Sequence, residues 1–254
     1  MRMIWLFNDI IASLHSARQR WDQCPLMEER RKLIVGHFGD PRQDKQKIEE
    51  SLTPSHYAIS LSGEPTMYPK LPDLIKYLKS LEATKSIFLV TNGQEPEMIQ
   101  RLADEDALPT QLYLSTNASD YDSFLKINRP KYDDSWKRWN KTLELLAELD
   151  TRTVLRVTLI KDWNDSEKMI SGFTSIFEKS NAHFIEIKSY MHIGRSTNRL
   201  EYDNMVDMSD VRKFSKYIAK NSDRFEIMDE SEVSRIVVLQ NKKRFTERYL
   251  SAYA

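Results

Sequence analysis

The chain has 254 residues, of which 40% are hydrophobic and 30% are charged, an ordinary composition for a folded domain with a full core. Its 38 basic and 38 acidic residues give a formal net charge of +0, which excludes a global basic field and restricts any RNA contact to a local patch. A single cysteine, Cys24, excludes an internal disulfide, and no apolar run reaches the ~18 residues of a membrane span, so we predict a cytoplasmic protein.

The N-terminal part of the chain differs from the rest. The opening segment Met1–Phe7 is largely apolar, but Asn8 and Asp9 interrupt the apolar stretch and no small-residue cleavage site follows, so we predict no secretory signal. Gln23–Leu52 is highly charged and has weak periodicity. We therefore predict a degenerate N-terminal region with a charged surface segment over residues 1–52, and one domain with a C-terminal cap over residues 53–254.

Five β-like runs follow, each rich in Ile, Val, Leu, Phe or Tyr and each ending in polar residues. They show little strict alternation, as expected for strands that are buried on both faces. The runs are Tyr57–Leu61, Ile87–Thr91, Gln111–Ser115, Val154–Ile160 and Phe184–Ser189.

Helical patterns fill the gaps between these runs, and strand–helix alternation predicts a parallel sheet, either doubly wound or closed into a partial (βα) barrel. In both architectures the functional residues lie at the carboxyl ends of the strands.

The C-terminal part of the sequence predicts one helix, Val211–Ala219, and then two short strands or an extended cap. The other predicted helices are Leu74–Leu81, Met98–Leu102, Tyr121–Ile127, Trp136–Leu149 and Met169–Phe177.

Gly63 and Glu64 follow the first of the five predicted strands, Tyr57–Leu61. Because glycine has no Cβ, the backbone at Gly63 can approach a ligand closely, and Glu64 beside it is an acceptor for an ammonium group. The alternative is a strand-end turn with a solvated glutamate. At the next strand end, Asn92 either lies on the rim of a pocket or forms a turn with the glycine that follows it.

The third strand ends with Ser115 and, two residues later, Asn117. A period of two points both side chains to one face, where two hydrogen-bonding groups suit a ribose diol. The alternative is that Asn117 or Ser119 caps the following helix.

Charged residues lie on the fourth and fifth strands. Arg156 is in the middle of an apolar run, and a buried arginine requires a carboxylate, which Glu64, Glu186 or a ligand could supply. Lys188 ends the fifth strand, where a lysine can form a Schiff base with a carbonyl substrate or pair with Glu186 on the same face.

The residues after the fifth strand also suggest contacts. Tyr190 and His192 could donate a proton to a ligand, or they could be hydrogen-bonded side chains in the wall of a pocket. Two basic clusters suit phosphates and unstacked RNA bases, one containing Arg129 with nearby tryptophans and the other containing Arg195 and Arg199. The alternative for both clusters is a solvated surface.

Taken together, these strand ends resemble one family, the radical S-adenosylmethionine (SAM) tRNA 4-demethylwyosine synthases. The resemblance extends from about His56 to Gln240, and its most specific part is Lys188–Gly194. The other segments that carry it are Ser60–Thr66, Val90–Gln94, Gln111–Ser115, Ile127–Pro130 and Arg152–Leu159.

The resemblance implies a partial (βα)6 TIM-type barrel. It also implies a [4Fe-4S] cluster that cleaves SAM to a 5′-deoxyadenosyl radical, and a flavodoxin or ferredoxin as electron donor. The radical acts on N1-methylguanosine beside the anticodon of tRNA-Phe, and pyruvate contributes two carbons to the product. The protein supplies orientation while the cofactors carry the chemistry.

Carried over by position, the resemblance assigns roles to the residues above. Gly63 and Glu64 match the site of the SAM amino group, and Arg156 lies where a partner of the SAM carboxylate is expected. Lys188 is the predicted catalytic residue. The remaining SAM-binding residues are Asn92, Ser115 and Asn117, and those on the substrate or tRNA side are Tyr190, His192, Arg129 and Arg195.

The sequence departs from the family at the cluster. The family holds it with Cys-x3-Cys-x2-Cys after the first strand, and further cysteines and a pyruvate-binding lysine lie upstream. Met1–Arg20 contains no cysteine, and Cys24 alone cannot hold a cluster. We therefore expect the first strand of the family's barrel, which would precede Tyr57–Leu61, and the cluster loop after it to be missing or altered. Three explanations stay open: a misassigned gene start, an inert fragment, or a cluster-free relative that binds tRNA or SAM. A hypothesis without SAM is a Schiff-base, aldolase-type lyase that uses Lys188.

Overall fold

The computed structural model describes residues 3–5, 31–42, 44–60 and 63–250. Within these residues the chain forms one eight-stranded sheet in the order β1-β2-β3-β4-β5-β6-β8-β7. Strands β1 to β6 pair in parallel with one another, whereas β8 is antiparallel to both β6 and β7. The strands are β1 Met3–Trp5, β2 His56–Ile59, β3 Ser86–Thr91, β4 Gln111–Ser115, β5 Arg152–Leu159, β6 Phe184–Ser189, β7 Phe225–Ser231 and β8 Ile236–Asn241.

Helices connect the strands, and several begin at side-chain caps that the sequence supplies. Asp44, Asp120 and Ser166 cap three of these helices, each by accepting main-chain N–H groups with its side chain. The helices that matter below are α1 Lys45–Leu52, α2 Leu71–Ser80, α3 Pro96–Asp104, α4 Tyr121–Asn128, α5 Ser135–Leu145, α6 Glu167–Ser180 and α7 Met208–Asn221.

The central strands have two unequal faces. Alternate residues such as Leu155 and Val157 are fully buried and belong to the apolar core that the helices cover. Phe173 and Phe177 of α6 extend this core toward Phe214 of α7, with ring centroids of Phe173 and Phe214 5.7 Å apart. The residues between them, such as Arg156, are only partly buried and line the inner face of a partial TIM-type barrel.

The parallel sheet and the α/β fold agree with the sequence prediction, including the five central strands within a few residues at each end. The predicted C-terminal cap is the hairpin of β7 and β8, which pairs with β6. The charged N-terminal segment contains helix α1, which the sequence did not predict. At the position of the first strand the structure has a strand of three residues, Met3–Trp5, and Cys24 lies outside the described residues.

The division of the chain at residues 52 and 53 stays a prediction. In the part of the chain that the structure describes, no helix is long and apolar enough to cross a membrane.

Candidate functional site at the carboxyl ends of the strands

Glu64 joins the ends of strands β2 and β3. Its Oε1 accepts hydrogen bonds from the hydroxyls of Thr66 and Thr91, both at 2.6 Å, and its Oε2 accepts the main-chain N–H of Asn92 at 2.8 Å. Gly63 before it has a φ of 77°, in the left-handed region that favours glycine. The carboxylate is therefore fixed by hydrogen bonds from three residues, and Oε2 keeps acceptor capacity for a ligand.

The end of β3 is a tight turn that leaves Asn92 exposed on the rim. Its Oδ1 accepts the N–H of Gln94 at 3.0 Å, so the turn predicted for Asn92 is present, and a role at the rim of a pocket stays a prediction. Gly93 has a φ of 77°, and a Cβ there would lie 2.6 Å from Cδ1 of Leu114 and 3.1 Å from Cδ1 of Trp139. Close packing against β4 thus sets the position of this strand end.

Ser115 and Asn117 have different partners. The Asn117 Oδ1 accepts the N–H of Thr158 at 3.1 Å, which ties the end of β4 to β5. The carbonyl of Ser115 accepts the indole N–H of Trp139 at 3.1 Å, while its hydroxyl makes no hydrogen bond among the described residues. Neither Asn117 nor Ser119 caps α4, because Asp120 does so. The free hydroxyl of Ser115 faces the inside of the barrel, next to Arg156 in the strand register.

Arg156 and Glu186 form an ion pair across β5 and β6. The Nε of Arg156 lies 2.7 Å from Oε1 of Glu186, and the guanidinium stacks 4.2 Å from the ring centroid of Tyr113. Burial is the main cause that raises the pKa of Tyr113, and the Glu186 charge raises it further. Three carboxylates were candidate partners of Arg156 from the sequence, and in the structure Glu186 is the one that pairs with it.

Lys188 follows Glu186 on the same face of β6 and is partly buried. Since Glu186 is bound to Arg156, the Lys188 ammonium forms no ion pair or hydrogen bond within the described residues. Burial lowers the pKa of Lys188, the Arg156 charge lowers it further, and the Glu186 charge opposes the change. The alternative in which Lys188 pairs with Glu186 is not what the structure has.

Tyr190 and His192 form a hydrogen-bonded group after β6. The Tyr190 hydroxyl lies 3.2 Å from Nδ1 of His192 and donates to Oγ of Ser196 at 3.1 Å. Tyr190 is buried, whereas His192 is partly exposed and meets the ring of Tyr202 edge-on at a centroid distance of 6.2 Å. His192 is thus the member of the group that solvent or a substrate can reach.

Arg129 and Arg195 are exposed cations at the same end of the sheet, and neither has an ion pair among the described residues. Arg129 ends α4 in the left-handed conformation, with a φ of 47°. Arg199 instead donates to the carbonyls of Lys126 and Ile127, both at 3.1 Å, so it closes the end of α4. Two of the predicted phosphate-binding arginines are therefore available to a ligand, and the third is engaged in the fold.

The tryptophans that the sequence assigned to RNA bases are part of the packing. Trp139 is 1% exposed, and Trp136 stacks on it with centroids 5.3 Å apart. The prediction was wrong for Trp139, which is buried against the sheet, whereas the partly exposed Trp136 stays an untested candidate. An aromatic ring that does lie beside a cation is Trp163, with the Lys126 Nζ 4.5 Å from its ring centroid. The sequence did not predict this contact, because a single tryptophan after a strand forms no recognisable pattern.

The residues present do not fit a [4Fe-4S] cluster. Such a cluster requires several cysteine thiolates, and the only cysteine of the sequence, Cys24, lies outside the described residues. Within the described part of the chain, no three His, Cys, Asp or Glu side chains are grouped to hold a metal ion. No chemical step is therefore assigned to a cluster in this chain.

A cavity of about 1340 Å³ lies at the opposite end of the strands, lined by Arg152, His183 and Arg244 among others. The C-terminal segment covers part of it, with Arg152 donating to the carbonyls of Glu247 and Arg248. Burial, with the charges of Arg244 and Arg152, lowers the pKa of His183 to about 4. Arg152 and His183 lie at the amino ends of β5 and β6, whereas the candidate site lies at the carboxyl ends of these strands.

Comparisons with known proteins agree with this architecture. Residues 24–171 match the radical SAM superfamily, and residues 179–241 match the family of wyosine base formation. The tRNA 4-demethylwyosine synthase of Pyrococcus horikoshii is 40% identical over 228 residues, which are 87% of this chain and 65% of that protein. The Methanocaldococcus jannaschii synthase is 38% identical, over 89% of this chain and 70% of that protein.

Solved structures give the same picture. The structure of TYW1 with a lysine-pyruvate adduct bound superposes with a TM-score of 0.76 at 37% identity, covering 87% of this chain and 68% of that chain. The crystal structure of archaeal TYW1 has a TM-score of 0.71 at 30% identity, covering 96% and 80%. The present chain thus spans about two thirds of the length of the Pyrococcus relatives, 65% by residue coverage.

Proposed function

Because the chain belongs to the radical SAM family of tRNA 4-demethylwyosine synthases, we propose that it takes part in modifying tRNA in wyosine biosynthesis. The proposed substrate is N1-methylguanosine beside the anticodon of tRNA-Phe, and the proposed product is 4-demethylwyosine. Pyruvate is the proposed carbon donor, consistent with the lysine-pyruvate adduct bound in the TYW1 neighbour. The family implies SAM and a [4Fe-4S] cluster, which together supply radical chemistry when bound.

The observation that carries the proposal is the fixed carboxylate of Glu64. Four donor groups from three residues hold its oxygens in place, and Oε2 still has acceptor capacity beside the left-handed Gly63. An ammonium group with three N–H donors, such as the amino group of SAM, complements such an acceptor. Its position at a strand's carboxyl end is where barrel enzymes bind their ligands.

The other SAM-binding residues are proposed on the same grounds. The free hydroxyl of Ser115 suits a ribose hydroxyl, and Asn117 holds the neighbouring strand end in position through Thr158. Asn92 is proposed because its side chain is exposed at the end of β3, where a ligand can reach it. Arg156 is a weaker candidate for direct contact, since its guanidinium is bound to Glu186.

Lys188, Tyr190 and His192 are the proposed substrate-side residues, with Lys188 as the catalytic one. The accessible ring of His192, backed by the Tyr190 hydroxyl, suits hydrogen bonding or proton transfer to a base. Arg129 and Arg195 are proposed to meet tRNA phosphates because both cations are exposed and unpaired in the described structure. We also propose a flavodoxin or ferredoxin as electron donor and a cytoplasmic location, both from the family resemblance.

The missing cysteines leave a second form of this function, in which the chain binds SAM or tRNA without its own cluster. The experiment that tests the enzyme is analysis of nucleosides by liquid chromatography and mass spectrometry. Native protein from its source cells is incubated with SAM, pyruvate, a chemical reductant and tRNA-Phe that carries N1-methylguanosine. We expect 4-demethylwyosine from the parent and none from Glu64→Ala, with Glu82→Ala, an exposed glutamate, as control. No product from an iron-containing parent would contradict the proposal.

One observation favours a second candidate, a Schiff-base lyase that uses no SAM. Lys188 is unpaired and its pKa is lowered by burial, which raises the fraction of neutral amine that can attack a carbonyl. The test is borohydride reduction with pyruvate followed by peptide mass spectrometry. A reduced adduct at Lys188 supports the lyase, and an adduct-free Lys188 removes it.

A further inference from the structure

We propose that the Lys188 ammonium, rather than the Arg156 guanidinium, binds the carboxylate of a small ligand inside the partial barrel. The inference rests on the proposed function, which supplies two small carboxylates, the methionyl end of SAM and pyruvate. It gives Lys188 a charged binding role that differs from a covalent one.

The first step concerns Arg156, which is already neutralised. Its Nε lies 2.7 Å from Oε1 of Glu186, and its guanidinium lies 4.2 Å from the ring centroid of Tyr113. Both charged side chains are largely buried, with 23% and 16% of their surface exposed. A ligand carboxylate at Arg156 would have to displace Glu186 and leave that buried carboxylate without its partner, which is costly.

The second step concerns Lys188, which has no partner. In the strand register its neighbours are Thr158 on β5 and Ile236 on β8, and neither carries a charge. Among the described residues no acidic oxygen lies within ion-pair distance of its ammonium. A partly buried cation without an anion is unfavourable, so the site is completed when an anion enters.

The third step is the charge balance on this stretch of the inner face. Arg156 and Glu186 cancel each other, so the ammonium of Lys188 is left as one uncompensated positive charge. Burial is the main cause that lowers the pKa of Lys188, while the opposing effects of the Arg156 charge, which lowers it, and the Glu186 charge, which raises it, are secondary. A bound carboxylate would reverse this effect and stabilise the protonated amine.

The fourth step is position. Lys188 is the next inward-facing residue after Glu186, about 7 Å nearer to the carboxyl end of the strand. Thr158, its partner in register, donates its main-chain N–H to Oδ1 of Asn117. Lys188 is therefore level with the polar ends of β4 and β5, where the proposed function places the ribose of SAM.

A binding experiment with three variants tests the inference. Equilibrium dialysis measures the affinity of the full chain for SAM and for pyruvate in the parent, Lys188→Gln and Lys188→Arg. Lys161→Gln is the matched control, since Lys161 is an exposed lysine just past the end of β5. Circular dichroism verifies that each variant is folded before its affinity is measured.

We expect Lys188→Gln to weaken binding of one carboxylate ligand about tenfold or more, the usual effect of losing a charge-assisted hydrogen bond. Lys188→Arg, which keeps the charge but cannot form a Schiff base, should recover most of that loss, and Lys161→Gln should match the parent. Decarboxylated SAM should bind parent and Lys188→Gln equally if the SAM carboxylate is the partner. A loss confined to pyruvate assigns the site to pyruvate.

Three results would overturn the inference. Equal affinity of parent and Lys188→Gln for both ligands would remove Lys188 as the binding group while leaving the proposed function intact. A loss in Lys188→Arg as large as in Lys188→Gln, together with borohydride trapping at Lys188, would assign a covalent role instead. A parent that binds neither SAM nor pyruvate would overturn the proposed function and this inference together.

Discussion

Arg156 and Glu186 face each other in the register of two parallel strands, with 2.7 Å between Nε and Oε1. This pair neutralises an arginine on the inner face of β5, on the proposed SAM side of the barrel. It also leaves the neighbouring Lys188 without an anion. Glu186 could pair with Arg156 or with Lys188, and because it pairs with Arg156, the positive charge of Lys188 is the one left without an anion.

Removing the acid of this pair should destabilise the fold. In Glu186→Gln the Arg156 charge stays against the Tyr113 ring without an anionic partner, so we expect the free energy of unfolding to fall by about 1–3 kcal/mol, less than for a fully buried pair. Urea unfolding measures this loss. The double variant Arg156→Met with Glu186→Leu removes both charges and should be more stable than Glu186→Gln alone. Equal stability of Glu186→Gln and the parent would contradict the assignment.

Lys188 should lower stability at neutral pH in the absence of a ligand. Its pKa in the folded chain lies below the ordinary 10.5, so the unfolded chain binds more protons between the two values and stability rises with pH in that window. We therefore expect Lys188→Met to be more stable than the parent at pH 7, with the difference vanishing above pH 10.5. Urea unfolding at both pH values measures it. A variant less stable than the parent at pH 7 would indicate a favourable partner for Lys188.

His183 should make the fold sensitive to acid. Its pKa is about 4 in the folded chain and about 6.5 when unfolded, so between these values only the unfolded chain is protonated and stability falls as the pH falls. We expect this residue to account for a loss of about 1–2 kcal/mol from pH 7 to pH 4, reduced from the full shift by its partial exposure. Urea unfolding of the parent and His183→Gln compares the slopes.

The control for this prediction is His37→Gln, at an exposed histidine. It should keep the pH dependence of the parent, whereas His183→Gln should show a shallower one. If the two variants had the same slope as the parent, His183 would not be the group that titrates.

Gly93 should tolerate no side chain. A Cβ there meets Leu114 at 2.6 Å, and the φ of 77° is strained for an L-residue, so Gly93→Ala should cost about 2–4 kcal/mol of stability. A Cβ at Gly39 would meet no heavy atom within 4 Å and that glycine has no positive φ, so Gly39→Ala is the matched control and should differ little from the parent. Thermal unfolding compares them, and equal melting temperatures for both variants would contradict the packing described at the end of β3.

The strands and the strand ends were predictable because each buried run stops at polar residues. Helix α1 was not, since only Ile48 of that helix is buried and its start depends on the Asp44 cap rather than on an apolar stripe. The sequence placed Glu64 and Gly63 correctly at a strand end, but it contained no sign of the Thr66 and Thr91 hydroxyls that hold the carboxylate.

The partner of Arg156 depends on strand register, which sequence alone does not determine. Glu186 is 30 residues away, and the pairing of β5 with β6 follows from the connecting helix and its packing. The two tryptophans of α5 show the opposite problem, because an aromatic residue among cations has the same sequence pattern whether it faces the core or the solvent. Trp139 faces the core, where its indole N–H binds the Ser115 carbonyl.

The most direct test of the central claim is the affinity of the chain for SAM, measured by equilibrium dialysis on the parent and Glu64→Ala at a temperature where both are folded. The parent should bind SAM, Glu64→Ala should bind it at least about tenfold more weakly because the ammonium loses its acceptor, and Glu82→Ala should match the parent. A parent that does not bind SAM, or a Glu64→Ala variant that binds it as tightly as the parent, would contradict the claim that this strand end is a SAM site.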